Sequence, residues 1–226
     1  LICIDMVDVT EEEARLRLLP QLSHALMEAG ELPRAETVLA EAAEAARRAG
    51  DRGLEASSVP HQVDLLLATD PQTPFAAAQA RLRAAVETFE ELGDEAGLAR
   101  ASRMLALLDL FLGRAAEADG ALERAAEHAR RAGDRRLELD CLEWIHGCLL
   151  WGPAPAQEAI RRSEAIDRAA ADRRLEAWGH TLRSPLEAML GNFDKARQLR
   201  EQARATMEDL GMRLELAGAA QAFGWV

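Results

Sequence analysis

The chain has 226 residues, of which 49% are hydrophobic and only 4% aromatic, with no tyrosine. Its formal net charge of −12 disfavours a nucleic-acid partner, because binding a phosphate backbone needs a basic face. Charged residues interrupt every window of 18 residues, which excludes a membrane-spanning helix.

Residues 1–10 are predicted to be a lead-in from a preceding region, so the chain is expected to be part of something longer. Leu1 to Val9 are mostly apolar, but Asp5 and Asp8 interrupt them and no basic residue precedes them. A secretion signal is therefore not expected.

The three cysteines are too few for a disulfide framework. If Cys141 and Cys148 lie on one helix, they are separated by a rise of about 10 Å, which is too far for a disulfide between them. These features predict a cytoplasmic protein.

From residue 11 onward a short joint recurs about every forty residues. The heptapeptide at 46–52 recurs unchanged at 129–135, and related joints lie at Gly93-Asp94, Ala171-Asp172 and Gly211-Met212. A glycine in the left-handed conformation ends a helix, and an aspartate behind it caps the next one. The joints predict a helical-repeat domain over 11–226, with repeats at about 11–50, 51–93, 94–133, 134–171 and 172–211 and a partial one at 212–226.

Each repeat contains a second break, which divides it into a helix A and a helix B. Helix B carries a small, a large and a small residue at spacings of four and three, which places all three on one face. The breaks lie at 30–33, 70–74, 113–114, 152–155 and 191–192. The triplets are Ala35-Leu39-Ala42, Ala78-Leu82-Ala85, Ala118-Leu122-Ala125, Ala156-Ile160-Ser163 and Ala196-Arg200-Ala203, where Arg200 breaks the pattern.

Three prolines fall inside predicted A helices: Pro20, Pro60 and Pro185. An interior proline kinks a helix and frees a backbone carbonyl. We expect helix A to begin late or to bend in these repeats. The alternative is that the freed carbonyls face a groove and bind a ligand.

In this pattern the chain resembles the tetratricopeptide repeat (TPR) family. Gly30-Ala35-Leu39-Ala42 and Gly113-Ala118-Leu122-Ala125 match its turn glycine and its small, large and small positions. The fifth repeat departs at Arg200, the second and fourth lack the turn spacing, and the family's aromatic positions are replaced. The resemblance covers residues 11–226 and implies an all-α, right-handed superhelix of about five antiparallel hairpins plus part of a sixth. Repeats of about 40 residues are similar to the longer variant in bacterial STAND and LuxR-type regulators and in adenylate or guanylate cyclase–ATPase fusions.

No motif for catalysis or for a cofactor is found. The only lysine, Lys195, is not in a Walker loop, and the zinc-protease and nucleophile-elbow motifs are absent. Cys141, His146 and Cys148 are the one cluster of metal-ligand types, but helical spacing turns His146 away from both cysteines. We expect no metal, no cofactor and no enzyme, with the cysteines packing as small core residues. Packing is also the expected role of Trp144, Trp151 and Trp178.

Candidate binding residues are those of helix A that lie off the expected packing stripe. In the third repeat that stripe is Leu98, Leu105, Leu108 and Leu112, and another face carries Arg100, Arg103, Leu107 and Leu110. Corresponding places in other repeats hold His24, Asp64 and, with a one-residue uncertainty, His146. The resemblance to TPR arrays implies that helix A lines a concave face. There the two arginines would pair with a carboxylate or phosphate, the alternative being ordinary solvent-facing arginines.

These observations predict a non-catalytic scaffold for protein–protein interaction, acting as the regulatory arm of a larger bacterial signalling or transcriptional regulator. Its partner would be another protein or adjoining domains of the same polypeptide, and neither nucleic acid nor membrane. The alternative is an effector-sensing domain that binds a small molecule or peptide in the concave groove. The single asparagine, Asn192, lies in a turn, which argues against a clamp of asparagines on a peptide backbone.

Overall fold

Ten α-helices follow one another along the part of the chain that the computed structural model describes, namely residues 11–70, 72 and 74–212, with no strand among them. The helices are α1 (Glu11–Glu28), α2 (Leu32–Ala49), α3 (Arg52–Thr69), α4 (Phe75–Leu92), α5 (Glu95–Phe111), α6 (Ala115–Arg131), α7 (Arg135–Trp151), α8 (Ala156–Ala170), α9 (Arg173–Met189) and α10 (Phe193–Asp209). They form five successive A–B hairpins, which confirms the all-α fold class. The predicted lead-in and nearly all of the partial sixth repeat, from 213 onward, lie outside the described residues.

The joints between hairpins end one helix and start the next as predicted. At Gly50 the backbone is left-handed (φ 65°), a conformation that a residue with a Cβ adopts only at a cost. Asp51 then caps α3, because its side chain accepts a hydrogen bond of 2.9 Å from the amide of Leu54. The aspartates of three later joints accept the equivalent bond: Asp94, Asp134 and Asp172.

The helices group into two compact units, one ending at Met104 and the other starting at Leu105, within α5. In the first compact unit α1 packs on α2 and α3, and α3 also packs on α2 and α4. In the second, α7 packs on α6, α8 and α9, and α9 also packs on α8 and α10. No helix among the described residues combines the length and the apolar character needed to cross a bilayer.

The small-large-small triplets of the B helices lie in the core. All three members are buried in α2, α4 and α6, and Ala118, Leu122 and Ala125 are fully so. The fourth repeat differs: in α8 the fully buried small residue is Ala159 instead of Ala156. The turn before this helix also differs, because the backbone of Gly152 is extended and not left-handed. In α10 Leu199 is buried next to Arg200, which explains how this helix tolerates the exception.

Leucine in place of Ala118 or Ala125 is expected to lower the free energy of unfolding by about 1–3 kcal/mol, because extra methylenes overpack a close helix contact. Glu123→Ala on the same helix is the control, and we expect it to stay within about 0.5 kcal/mol. Glu123 pairs with Arg162 at 2.8 Å, but its side chain is 60% exposed, so solvent screens the pair. Urea unfolding followed by circular dichroism measures all three variants. Equal midpoints would contradict the assignment of the buried face.

The interior prolines do not delay the start of their helices, contrary to one of our expectations. α1, α3 and α9 run through Pro20, Pro60 and Pro185, respectively. The residues four positions before the last two prolines, Ala56 and Thr181, are buried. The carbonyls that these two prolines free therefore belong to buried residues and are poorly placed to bind a ligand.

Candidate partner-binding site

Polar side chains from three A helices converge in the first compact unit. They are His24 on α1, His61 and Asp64 on α3, and Arg100 and Arg103 on α5, here called the arginine–histidine cluster. His24 Nδ1 lies 3.9 Å from Asp64 Oδ2. The rings of His24 and His61 have centroids 5.9 Å apart and planes tilted by 53°. Both arginines are close enough to act electrostatically on His61.

The cluster places two arginines beside two histidines and one aspartate. Burial lowers the pKa of His61, and the nearby His24, Arg100 and Arg103 lower it further, to about 3, so this ring is neutral at physiological pH. The two guanidinium groups are hydrogen-bond donors in a planar arrangement that matches a carboxylate or phosphate. Asp64 is the one carboxylate of the cluster. Arg103 Nε is buried and has no acceptor within the described part of the chain, which leaves a donor that an anionic ligand could satisfy.

Four of the seven residues predicted for the site belong to this cluster, and three do not. Leu107, Leu110 and His146 are only 4%, 7% and 1% exposed, respectively, so they offer no surface to a partner. For the two leucines the reason is that α5 is buried over a wider arc than one stripe. Leu110, for example, belongs to the core cluster around α6 and α7.

The packing stripe predicted for α5 is partly wrong. Leu98 and Leu108 are buried as expected, but so is Met104, whereas Leu112 follows the end of the helix and is exposed. An A helix that contacts its own B helix and further helices is buried on a broad face and not along one narrow apolar stripe. The sequence pattern therefore identified the polar face of the first turns of α5 and misjudged the apolar residues at its end.

Sequence reasoning missed His61. It lies three residues before Asp64 on α3, so the same helical spacing that paired Arg100 with Arg103 would have placed it on the candidate face. A lone histidine carries no stronger signal, and only the fold brings it next to His24.

His146 belongs to a buried polar network in the second compact unit, with Ser163 and Asp167 of α8 and Arg183 of α9. Arg183 Nη1 donates to Ser163 Oγ at 2.9 Å and pairs with Asp167. The Ser163 hydroxyl also forms a hydrogen bond with His146 Nδ1, 2.9 Å away. His146 Nε2 lies 3.1 Å from Asp167 Oδ1.

This network combines a serine, a histidine and a carboxylate without forming a reactive site. Ser163 and His146 are buried, and Arg183 occupies the serine oxygen that a nucleophile would present to a substrate. Gly179 on α9 leaves room for the carboxylate, because a Cβ there would lie 2.5 Å from Asp167 Oδ2. The network therefore joins α7, α8 and α9 as a structural element.

The cysteines pack as predicted. Cys141 and Cys148 form no disulfide and are buried, in the core cluster that also contains Ile145 and Leu149. Burial raises the pKa of Cys148 to about 12, which keeps the thiol protonated and unreactive. Among the described residues, no three histidine, cysteine, aspartate or glutamate side chains are grouped so that they could hold a metal ion.

The three tryptophans predicted to pack have different environments. Trp144 packs against the core of the second compact unit and Trp178 against Ala177, Met207 and Met212, as expected for packing residues. Trp151, at the end of α7, is 61% exposed, so the prediction that it packs like the other two is wrong.

Solved structures of TPR-like repeat proteins share this fold. A Podosopora anserina protein described as a putative kinesin light chain with nearly identical TPR-like repeats superposes with a TM-score of 0.61 at 16% identity, over 89% of this chain and 99% of that one. A point variant of the same protein gives 0.62 at 15% identity, over 90% and 100%. BtubC (BKLC) from P. vanneervenii gives 0.62 at 18% identity, over 88% and 82%. No protein-family profile and no curated protein sequence matches the chain. The chain therefore has a TPR-like helical-repeat fold.

Proposed function

We propose that the protein is a non-catalytic interaction scaffold that binds an acidic segment of a protein partner at the arginine–histidine cluster. The observation that supports this most is the convergence of Arg100 and Arg103 with the neutral His61 in a chain whose net charge is −12. A guanidinium pairs with a carboxylate or phosphate through two parallel hydrogen bonds. A ligand with one or more carboxylate or phosphate groups fits this preference.

The partner is either another protein or adjoining domains of the same polypeptide. We place the protein in the cytoplasm, as the regulatory arm of a larger bacterial signalling or transcriptional regulator. This setting rests on the resemblance of its forty-residue repeats to those of STAND and LuxR-type proteins, and on two buried cysteines that form no disulfide.

The double variant Arg100→Ala/Arg103→Ala is expected to weaken binding more than tenfold, or about 1.4 kcal/mol, without lowering the melting temperature. The probe is a peptide selected from a random display library on the immobilised chain, and we expect selected peptides to contain several aspartates or glutamates. Fluorescence anisotropy then gives the affinity of the peptide for each variant. Raising the salt concentration should weaken binding to the wild type.

The matched control is Arg48→Ala/Arg83→Ala, which removes the same charge from exposed positions on α2 and α4 of the same compact unit. Equal losses in the two double variants would attribute binding to net charge and contradict the proposed site. Selected peptides without acidic residues would contradict the proposed partner chemistry.

Effector sensing is the second candidate, supported by a cavity of about 440 Å³ between α2, α3 and α4. This volume falls within the range of small-molecule sites, and Arg47, Arg52 and Arg81 line it with Glu55 and Gln62. The test is whether a small anionic ligand raises the melting temperature of the protein. Effector sensing is favoured over the scaffold if Arg81→Ala abolishes this stabilisation and Arg100→Ala/Arg103→Ala retains it.

A further inference from the structure

Large apolar side chains are exposed at three successive A–B turns of the second compact unit. They lie at the end of α5, at the end of α7 and on both sides of the turn between α9 and α10. Their exposed fractions range from 38% to 69%: Phe111, Leu112, Trp151, Met189, Leu190 and Phe193. We call these six residues the apolar edge.

The three turns are neighbours in space. Leu110, Leu149 and Leu186 come one to three residues before the exposed side chains of their helices, and all three belong to one core cluster. The ends of α5, α7 and α9 therefore lie side by side. Adjacent packed helices are about 8–10 Å apart, so the apolar edge is a strip on the order of 20 Å long.

The charged residues that border this edge are paired. The turn at 152–155 and the turn at 191–192 contain no charged residue, and Arg114 in the third turn pairs with Asp109 at 2.8 Å. Two charged residues follow the edge directly: Lys195 pairs with the buried Glu187 at 2.5 Å, and Asp194, whose side chain is 99% exposed, pairs with Arg197. In a chain with 29% charged residues, two of these three turns contain no charge, and the charged residues that border the edge are paired.

Two of the aromatic rings are held in place by their neighbours. Phe111 contacts Trp144 edge to face, with ring centroids 6.1 Å apart and planes at 85°. Trp151 lies over Gly147, where a Cβ would come within 3.0 Å of the indole Cζ3. Rings that are already ordered lose little conformational entropy when a partner covers them.

We propose that the apolar edge is the contact surface of a two-fold symmetric dimer with a second copy of this chain. Six side chains with these exposures leave on the order of 500–600 Å² of apolar surface, at the upper end for the largest patch of a monomer. Two copies would bury roughly 1,000–1,200 Å², which reaches the lower limit of a specific interface.

The charge pattern also favours a second copy. Two molecules of net charge −12 repel each other wherever their charged surfaces meet. The apolar edge lets two copies approach through a strip whose bordering charges are already paired within each chain, and a two-fold axis pairs the same strip on both. The apolar edge shares no residue with the arginine–histidine cluster, so the dimer does not depend on the proposed function.

The test measures the mass of the 226-residue chain by sedimentation equilibrium over a range of concentrations. We expect the wild type to be in monomer–dimer equilibrium, and Trp151→Ser/Phe193→Ser to raise the dimer dissociation constant at least tenfold. Met189→Glu is the second variant, because Met189 is the most exposed member of the edge and the dimer would bury its carboxylate without a partner. Circular dichroism checks that both variants remain folded.

Leu18→Ser/Leu92→Ser is the matched control, since both leucines are 56% exposed and belong to the first compact unit instead of the apolar edge. We expect this control to dimerise like the wild type. A wild type that stays monomeric up to about 100 µM, the low-affinity range for a specific dimer, would overturn the proposal. A dimer that the edge variants leave intact, or that the control weakens equally, would overturn it as well.

Discussion

Replacing Arg183 with leucine is expected to lower the free energy of unfolding by about 3–5 kcal/mol. The side chains of Arg183 and Asp167 are only 6% and 9% exposed, and they form a buried ion pair. Without the guanidinium, the Asp167 carboxylate remains buried without its charged partner, and Ser163 Oγ loses a hydrogen bond of 2.9 Å. Most of this loss is the cost of a buried charge that has no partner. It is therefore larger than the net contribution of the intact ion pair to stability.

Urea denaturation of Arg183→Leu measures this loss. Arg204→Leu is the control, because Arg204 pairs with Glu201 and Glu208 on the exposed face of α10. We expect the melting temperature of this variant to match that of the wild type. Asp167→Asn introduced into Arg183→Leu removes the stranded charge and should recover part of the stability. A loss below about 1 kcal/mol in Arg183→Leu would mean that Asp167 reaches water and that the network is not closed.

The sequence predicts the hairpin architecture because each joint is determined locally. Gly50 requires a left-handed backbone and Asp51 supplies the cap within four residues, so neither depends on distant parts of the chain. The triplets are equally local, since spacings of four and three place residues on one helix face in any context. Because the pattern is local, it shows that Arg200 is an exception. It does not show that the neighbouring Leu199 is buried in its place.

The buried network could not be predicted, because its members are far apart in the sequence and individually ordinary. Asp167 and Arg183 are 16 residues apart on different helices, and His146 is 17 residues before Ser163. Each has the residue type of a solvated helix face, and only the packing of α7, α8 and α9 shows that they are buried. A polar residue on an A helix is therefore an ambiguous signal. His24 faces the candidate site, and His146, expected at the corresponding place, is internal.

The same limit applies to apolar residues at helix ends. Trp151 and Leu112 fit the spacing of packing residues, yet no neighbouring helix covers them among the described residues, and both are exposed. Periodicity assigns a residue to a face, but it does not show whether a neighbouring helix extends far enough to cover the last turn. For this reason the apolar edge emerged only from the structure.

Alanine in place of Phe89 is expected to lower the free energy of unfolding by about 3–5 kcal/mol, because the ring is fully buried and its loss leaves a cavity. The ring lies among Ala56, Ala85 and Leu98 in the core of the first compact unit. It is also pressed against the backbone of α5. An added Cβ on Gly97 would lie 2.3 Å from Cδ1 of Phe89 and 2.6 Å from its Cγ.

Gly97→Ala is therefore expected to destabilise the wild type by about 1–2 kcal/mol, as overpacking outweighs the roughly 1 kcal/mol that alanine gains over glycine in a helix. In the Phe89→Ala background the clash disappears, and the same substitution should become neutral or stabilising. The two substitutions are thus coupled by about 2–3 kcal/mol in a double-mutant cycle. Gly120→Ala is the control, because its Cβ would meet only the Arg124 guanidinium at 3.7 Å, and it should stabilise the chain by up to about 1 kcal/mol. Additive losses from Phe89→Ala and Gly97→Ala would mean that the ring moves aside freely and that the tight contact between α4 and α5 is not maintained in solution.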